Sequence, residues 1–370
     1  MAKTQADVFV VGGGPAGLAA AIAAREAGLS VVLADCATPP IDKACGEGIM
    51  PVGLAALRLL GVELPPAAGY PFRGIKFQSG QRAVDSYFIH GSGVGVRRTD
   101  LHQLLLDHAA ELDIEMHWGA RVAGADGGRV TLNGETVESR WLVAADGQNS
   151  AIRKWAGLDG GRTTRRRFGF RRHYRIAPWS EYVEIYWGEA AQMYITPVAP
   201  DTVCVALLCA DPHLRFHDGL RLFPEVEEHL GLAVPVTSEQ GALSPTRKLR
   251  SVYKDHIALI GDASGSVDAI TGDGLSLTFQ QAVALATAMK SNDLAGYELQ
   301  HRRIAQLPRF MADFMLLMDG RPRLRDRVFS ALTADPRLFQ QMLALHTGAL
   351  APLSFGLRNA MSFGWHLLTA

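Results

Sequence analysis

The sequence has little cysteine: Cys36, Cys45, Cys204 and Cys209 are the only four in 370 residues, and no C-x-x-C joins any two. A disulfide scaffold is excluded, and reduced thiols are expected. Net charge is also missing. Lysine plus arginine and aspartate plus glutamate both number 37, which argues against a general nucleic-acid binder. No run of about 18 apolar residues occurs, so nothing reads as a transmembrane segment. HExxH, zinc-ligand spacing and GxSxG are absent, which leaves metalloprotease and serine-hydrolase chemistry without a motif. There is no internal repeat and no low-complexity linker. The opening MAKTQADVFVV does not read as a signal peptide, and a cytoplasmic location is expected.

What is present is glycine at a fixed spacing. Val8 to Val11 is a short apolar run suited to a buried parallel strand, and Gly12, Gly14 and Gly17 follow as G-x-G-x-x-G. Gly12 allows a tight turn, Gly14 leaves room for a pyrophosphate, and Gly17 lets a helix pack close to the strand. The helix, from about Pro15 to Ala27, stops at Gly28. A second apolar strand ends in Asp35, 18 residues beyond Gly17, where a carboxylate can accept from a ribose hydroxyl. Free N–H groups around Pro15 and Ala16 at the helix start suit an anion. Together these elements predict a dinucleotide site.

The length allows more than one domain. Residues 166 to 210 alternate as in R-R-H-Y-R-I and Y-V-E-I-Y-W, the pattern of an antiparallel sheet. The expected fold is α/β. A Rossmann-like dinucleotide domain (1–75, 92–165 and 247–300) is interrupted by a sheet domain (76–91 and 166–246). A helical region (301–370) closes the chain.

Two later segments narrow the choice of dinucleotide. In L-V-A-A-D-G-Q-N-S-A-I-R a strand ends at Asp146-Gly147. In A-L-I-G-D-A-S-G-S-V-D-A-I-T-G-D-G-L-S a strand delivers Asp262, and Gly272 and Gly274 then open a helix. With the first motif, this order resembles FAD-dependent oxidoreductases of the para-hydroxybenzoate hydroxylase fold, over roughly residues 6 to 290. The resemblance implies non-covalent FAD and NAD(P)H as a transient reductant without its own Rossmann unit. It also implies roles. Asp262 would hold the ribityl and pyrophosphate region, and backbone at Gly272, Gly274 and Leu275 would approach the flavin ring. Arg98 would meet the cofactor, in preference to Arg97, and Val122 would lie beside the adenine. Asp146 and Gly147 either touch the cofactor or hold a strand-end turn.

The segment D-K-A-C-G-E-G-I-M-P resembles the geranylgeranyl reductase-like branch, which puts Lys43 and Cys45 near the flavin and makes Cys45 a candidate catalytic group; a small buried residue in a tight loop is the other reading. Ser264 stands where hydroxylases usually carry histidine. The expected activity is hydroxylation of an apolar or aromatic small molecule with molecular oxygen. Reduction of a C=C bond in an isoprenoid or lipid-like substrate is the alternative, and a non-catalytic flavin-binding protein the remote one. Substrate-side candidates are His173, Tyr186, Trp187, Tyr194 and Thr196, with the active face of the sheet left open. Arg165 to Arg167 with Arg171 and Arg172 form a basic cluster, either a solvated face or an attraction for anions. F-M-A-D-F-M-L-L-M (Phe310 to Met318) and S-F-G-L-R-N-A-M-S-F-G-W-H-L-L near the end are packing helices, or a tunnel or peripheral membrane contact for a lipid-like substrate.

Overall fold

In the computed structural model, which describes residues 5–126 and 129–351, two eight-stranded sheets divide the chain. The later of the two apolar tail segments lies outside the described residues. In the first sheet, Val31–Asp35, Gln5–Val11, Glu135–Ala144 and Ile257–Leu259 run parallel, with Val8 between Val31 and Trp141. Strands covered on both faces are apolar throughout, and Val8, Phe9 and Val10 are fully buried. Pro15–Glu26 is buried from Gly17 to Ala24 because it lies between this sheet and the Gly274–Ser291 helix. Its run of alanines permits that close approach.

The second sheet runs in the order Val234–Pro235, Gly161–Arg175, Thr202–Cys209, Ala191–Ala199, Tyr182–Trp187, Gly74–Ser79, Arg82–Tyr87, and Gln240–Leu249 also pairs with Gly161–Arg175. It departs from the antiparallel expectation at one place. Gly74–Ser79 and Tyr182–Trp187 are parallel, with Ile75 opposite Val183. A long excursion through the first sheet separates these strands, and such a crossover is what parallel pairing requires.

The two-residue period gives this sheet two faces. Tyr186, Met193, Ile195 and Val205 pack under Phe216–Leu220 and Pro224–Leu230. Ile185, Trp187, Tyr194 and Leu208 face the helices Leu294–Asp319, Pro322–Ala334 and Pro336–His346. Phe310 to Met318 thus belongs to a helix that packs on this sheet. No helix among the described residues is long and apolar enough to cross a membrane.

Candidate functional site

Three motifs far apart in sequence meet at one end of the first sheet. Gly12 has φ +111°, and a Cβ there would sit 2.3 Å from the Ala145 carbonyl oxygen, next to Asp146. A Cβ on Gly17 would lie 1.6 Å from the Gly12 oxygen, and one on Gly261 would lie 2.7 Å from the Ala16 Cβ. Only glycine lets the strand, the helix and the late Gly-Asp turn approach this closely. Gly14 is different: its nearest neighbour, 3.9 Å from where a Cβ would stand, is the Arg98 guanidinium. That is open space above a helix N-terminus, with an arginine beside it, as an anion needs. The spatial fit also favours Arg98 over Arg97.

Asp35 accepts from the Gly13 N–H at 2.5 Å and the Ala37 N–H at 2.7 Å, which fixes its carboxylate at the rim of the turn. His102 bonds the Gly13 oxygen through Nε2 at 2.8 Å, tying the turn to the Arg98–Glu111 helix. Asp262 is half-exposed and pairs with Lys43 at 3.0 Å. Arg153, fully buried, bonds the Ala263 and Gln148 carbonyl oxygens and Asp159, locking the central Asp-Gly segment to the late one. One Asp146 oxygen caps Ala151 and Ile152; the other is buried without a partner among the described residues. The strand-end role is therefore real, and a free acceptor remains. Gly46, Gly147, Gly272 and Gly274 open onto empty space. Val122 and Leu275 pack half-buried at the edge of the first core. An open cleft over a helix N-terminus, with Arg98 and an orphaned Asp146 oxygen, fits a dinucleotide carrying a flat ring.

Below this cleft, the Cys45 loop hides a charge cluster. Glu47 takes the left-handed conformation, φ +61°, which a non-glycine residue adopts only where its surroundings hold it. Its side chain is fully buried; it meets His173 Nε2 at 2.6 Å and accepts from the Arg98 N–H at 3.0 Å. Arg171 lies 3.7 Å from Glu47 and 2.5 Å from Asp42. Burial opposes the Arg171 charge, and Glu47 and Asp42 hold it. Burial pushes the Cys45 thiol up despite nearby Arg98, so Cys45 is a thiol and not a thiolate at neutral pH. Glu47, His173 and Cys204 lie close enough to invite a metal, but the guanidinium beside them supplies the positive charge instead.

The other side of the Gly272–Gly274 turn borders a chamber between the second sheet and the last three helices. Its walls include Met50, Phe77, Met311, Met315, Met318 and Phe339, and its free space is about 50 Å³. Flexible methionine side chains let such a chamber reshape around a larger guest. Among the described residues, Thr271 and His346 are the only polar side chains in its lining.

The predicted substrate residues divide. Tyr194 and Thr196 lie on the sheet face that meets the Gly46 and Ile270 loops, and both hold those loops: Tyr194 donates to the Ile270 oxygen at 2.7 Å and Thr196 to the Gly46 oxygen at 2.8 Å. Trp187 packs behind the chamber against Phe77 and Phe329. His173 is enclosed by Glu47 and Thr237. Tyr186 stands apart from the other four. It lies on the opposite face and donates to Glu184, because Val183, Ile185 and Trp187 take the chamber side of that strand. The basic cluster splits as well. Arg165 and Arg166 are exposed, whereas Arg167 and Arg171 are buried in ion pairs with Asp319 and Asp42. Sequence reading missed Glu47, His102, Asp273 and His346. Glu47 and Asp273 stood inside quoted glycine motifs, but nothing in the spacing paired them with histidines far along the chain.

A family model for an FAD binding domain matches residues 5–203, more than half of the chain. The chain belongs to that FAD-binding family. It is similar to the menaquinone reductase of Mycobacterium tuberculosis, 29% identical over 325 residues that cover 79% of this chain and 78% of the relative. It is also similar to the rifampicin monooxygenase of Rhodococcus hoagii, 27% identical, covering 76% of this chain and 63% of that one. A geranylgeranyl bacteriochlorophyll reductase-like protein from Thermoplasma acidophilum shares the fold: TM-score 0.70, 18% identity, 98% of this chain and 96% of that chain. The expected fold and cofactor are borne out, and the chain is an FAD-dependent oxidoreductase.

Proposed function

We propose that this enzyme reduces a carbon–carbon double bond in an apolar, isoprenoid-like substrate, with NAD(P)H as reductant. The observation that carries the reading is the methionine-rich chamber beside the Gly272–Gly274 turn. A mostly apolar pocket with few polar groups is what a lipid-like guest requires. The relative named menaquinone reductase and the C-G-E-G loop support it.

Gly12, Gly14, Pro15, Ala16, Gly17, Asp35, Arg98, Val122, Asp146, Gly147 and Asp262 would hold FAD, with Lys43, Cys45, Gly272, Gly274 and Leu275 toward its ring. Bound FAD supplies the hydride chemistry. The positive dipole end of the helix that opens at Gly274 would face the ring in this reading and would favour a reduced, anionic cofactor. Cys45, kept as a thiol by burial, is available as a proton donor. The chamber walls exclude water from the reacting carbons. A cytoplasmic enzyme that draws its substrate from a membrane surface fits this chemistry.

The test is anaerobic incubation with NAD(P)H and prenylated compounds, followed by mass spectrometry. Gain of two hydrogens without oxygen supports the reading. Hydroxylation, the second reading, is favoured by the rifampicin monooxygenase relative. Product formed only in air, with one oxygen added, would establish hydroxylation and overturn reduction.

A further inference from the structure

The chamber has one polar corner. His346, the last residue of the Pro336–His346 helix, lines it and places Nε2 3.2 Å from Asp273 Oδ1. Asp273 lies between Gly272 and Gly274, so this histidine is one hydrogen bond from the flavin-side turn. The His346 side chain is only 10% exposed and that of Asp273 6%. Each keeps one buried polar atom without a partner among the described residues: Nδ1 of His346 and Oδ2 of Asp273. Buried polar atoms are normally satisfied, and an orphan on a cavity wall calls for a group that the cavity's guest brings. Around the pair the walls are methionine, phenylalanine, leucine, isoleucine and valine, with Thr271 the one other polar side chain among the described residues.

We propose that His346, oriented by Asp273, bonds and exchanges a proton with an oxygen atom of the substrate. The chamber then takes conjugated apolar molecules bearing a carbonyl or hydroxyl, in preference to plain hydrocarbon chains. This rests on the chamber being the substrate site, and it adds the substrate's functional group. With Nε2–H donated to Asp273, neutral His346 presents the Nδ1 lone pair. It can take the proton of a substrate hydroxyl, leaving a substrate oxyanion and an imidazolium. In reverse, the imidazolium returns that proton from Nδ1 to the oxygen. Asp273 fixes the tautomer and faces the imidazolium charge in both directions, as carboxylates paired with catalytic histidines do. Burial disfavours the charged ring, yet the charge and hydrogen bond of Asp273 hold His346 above its ordinary value. The proton is therefore available near neutrality. Here His346 is the catalytic residue and Asp273 the positioning residue.

The test uses two probes of one outline, a dimethyl-naphthoquinone with both reactive ring carbons blocked and the matching dimethylnaphthalene. Calorimetry follows each binding to the oxidised, FAD-loaded enzyme in wild type, His346→Leu, His346→Gln and Asp273→Asn. FAD content and melting temperature check that each variant is folded. At mildly acidic pH, where the His346 imidazolium donates from Nδ1 to a carbonyl oxygen, wild type should bind the quinone about tenfold more tightly than the hydrocarbon, the scale of one charge-assisted hydrogen bond. His346→Leu should erase that preference without weakening the hydrocarbon. His346→Gln should keep part of it, and Asp273→Asn should reduce it. Equal wild-type affinity for the two probes, or equal loss of both in the His346 variants, overturns the proposal and leaves the apolar-chamber reading intact. If neither probe binds the wild type, that reading falls too.

Discussion

Replacing Glu47 by glutamine keeps its shape and removes the charge from a site with no access to water. The carboxylate touches His173 at 2.6 Å and the Arg98 N–H at 3.0 Å, with Arg171 at 3.7 Å. A glutamine oxygen can still accept from one donor. Its amide N–H groups must then face either the imidazole or the guanidinium, a donor against a donor. Breaking a buried ion pair by removing one partner costs about 3–5 kcal/mol. Asp42 still pairs with Arg171, and the shape is retained, so the low end applies: about 3 kcal/mol. Urea unfolding of the FAD-saturated protein, followed by circular dichroism, should show an earlier midpoint at an unchanged slope. Glu47→Ala should cost more, because it adds a cavity. A Glu47→Gln loss below about 0.5 kcal/mol, the size of an exposed pair, would refute the reasoning.

Gly14→Val should abolish FAD retention through gel filtration, since only open space lies over that position; a yellow, FAD-saturated variant would contradict it. Asp262→Ala should weaken FAD by about 1–3 kcal/mol, read as a dissociation constant by flavin fluorescence, and no change would show that the carboxylate serves only Lys43. His301 supplies a pH test. Burial lowers it from 6.5 to about 4 while Nε2 bonds the Ser264 hydroxyl. The unfolded chain therefore binds the proton first as pH falls. Stability from this residue is complete above pH 6.5 and declines toward pH 4, by about 3 kcal/mol in all. His301→Asn should flatten the dependence of unfolding free energy on pH in that window; an unchanged slope would assign it elsewhere.

The cofactor half of this protein was legible because its chemistry is local. A turn, a helix start and a strand end each carry their own glycine or acid, and Gly12, Gly14, Gly17 and Asp262 lie where those rules put them. The substrate half was not, because it is made by pairing across the chain. Alternation puts Gln192, Tyr194 and Thr196 on one face of their strand, but what that face meets depends on how the second sheet docks. Tyr186 and Trp187, one residue apart, accordingly end on opposite faces. The run of arginines at 165–167 looked like surface from composition, yet Arg167 turns inward to Asp319 and Gln192. Glu47 needed His173, 126 residues away, before it had any meaning.

The docking itself depends on polar contacts more than on the apolar core. Hydrophobic burial is large but non-directional, and a methionine-lined chamber tolerates many relative positions of its walls. Glu47 and Asp42 belong to the loop that follows the first parallel strands, whereas Arg171 and His173 belong to the second sheet. Thr196 on the Gly46 oxygen and Tyr194 on the Ile270 oxygen repeat the arrangement at two further points. A displacement of about one ångström would break these short, angle-dependent bonds while barely changing the area buried. Net stability from a buried ion pair is modest against a hydrophobic replacement, but its geometry is exacting. The charged cluster therefore fixes the second sheet at one distance from the Cys45 loop and the Gly272–Gly274 turn. Hydride chemistry needs that fixed distance, because reacting atoms only slightly misplaced lose most of the rate.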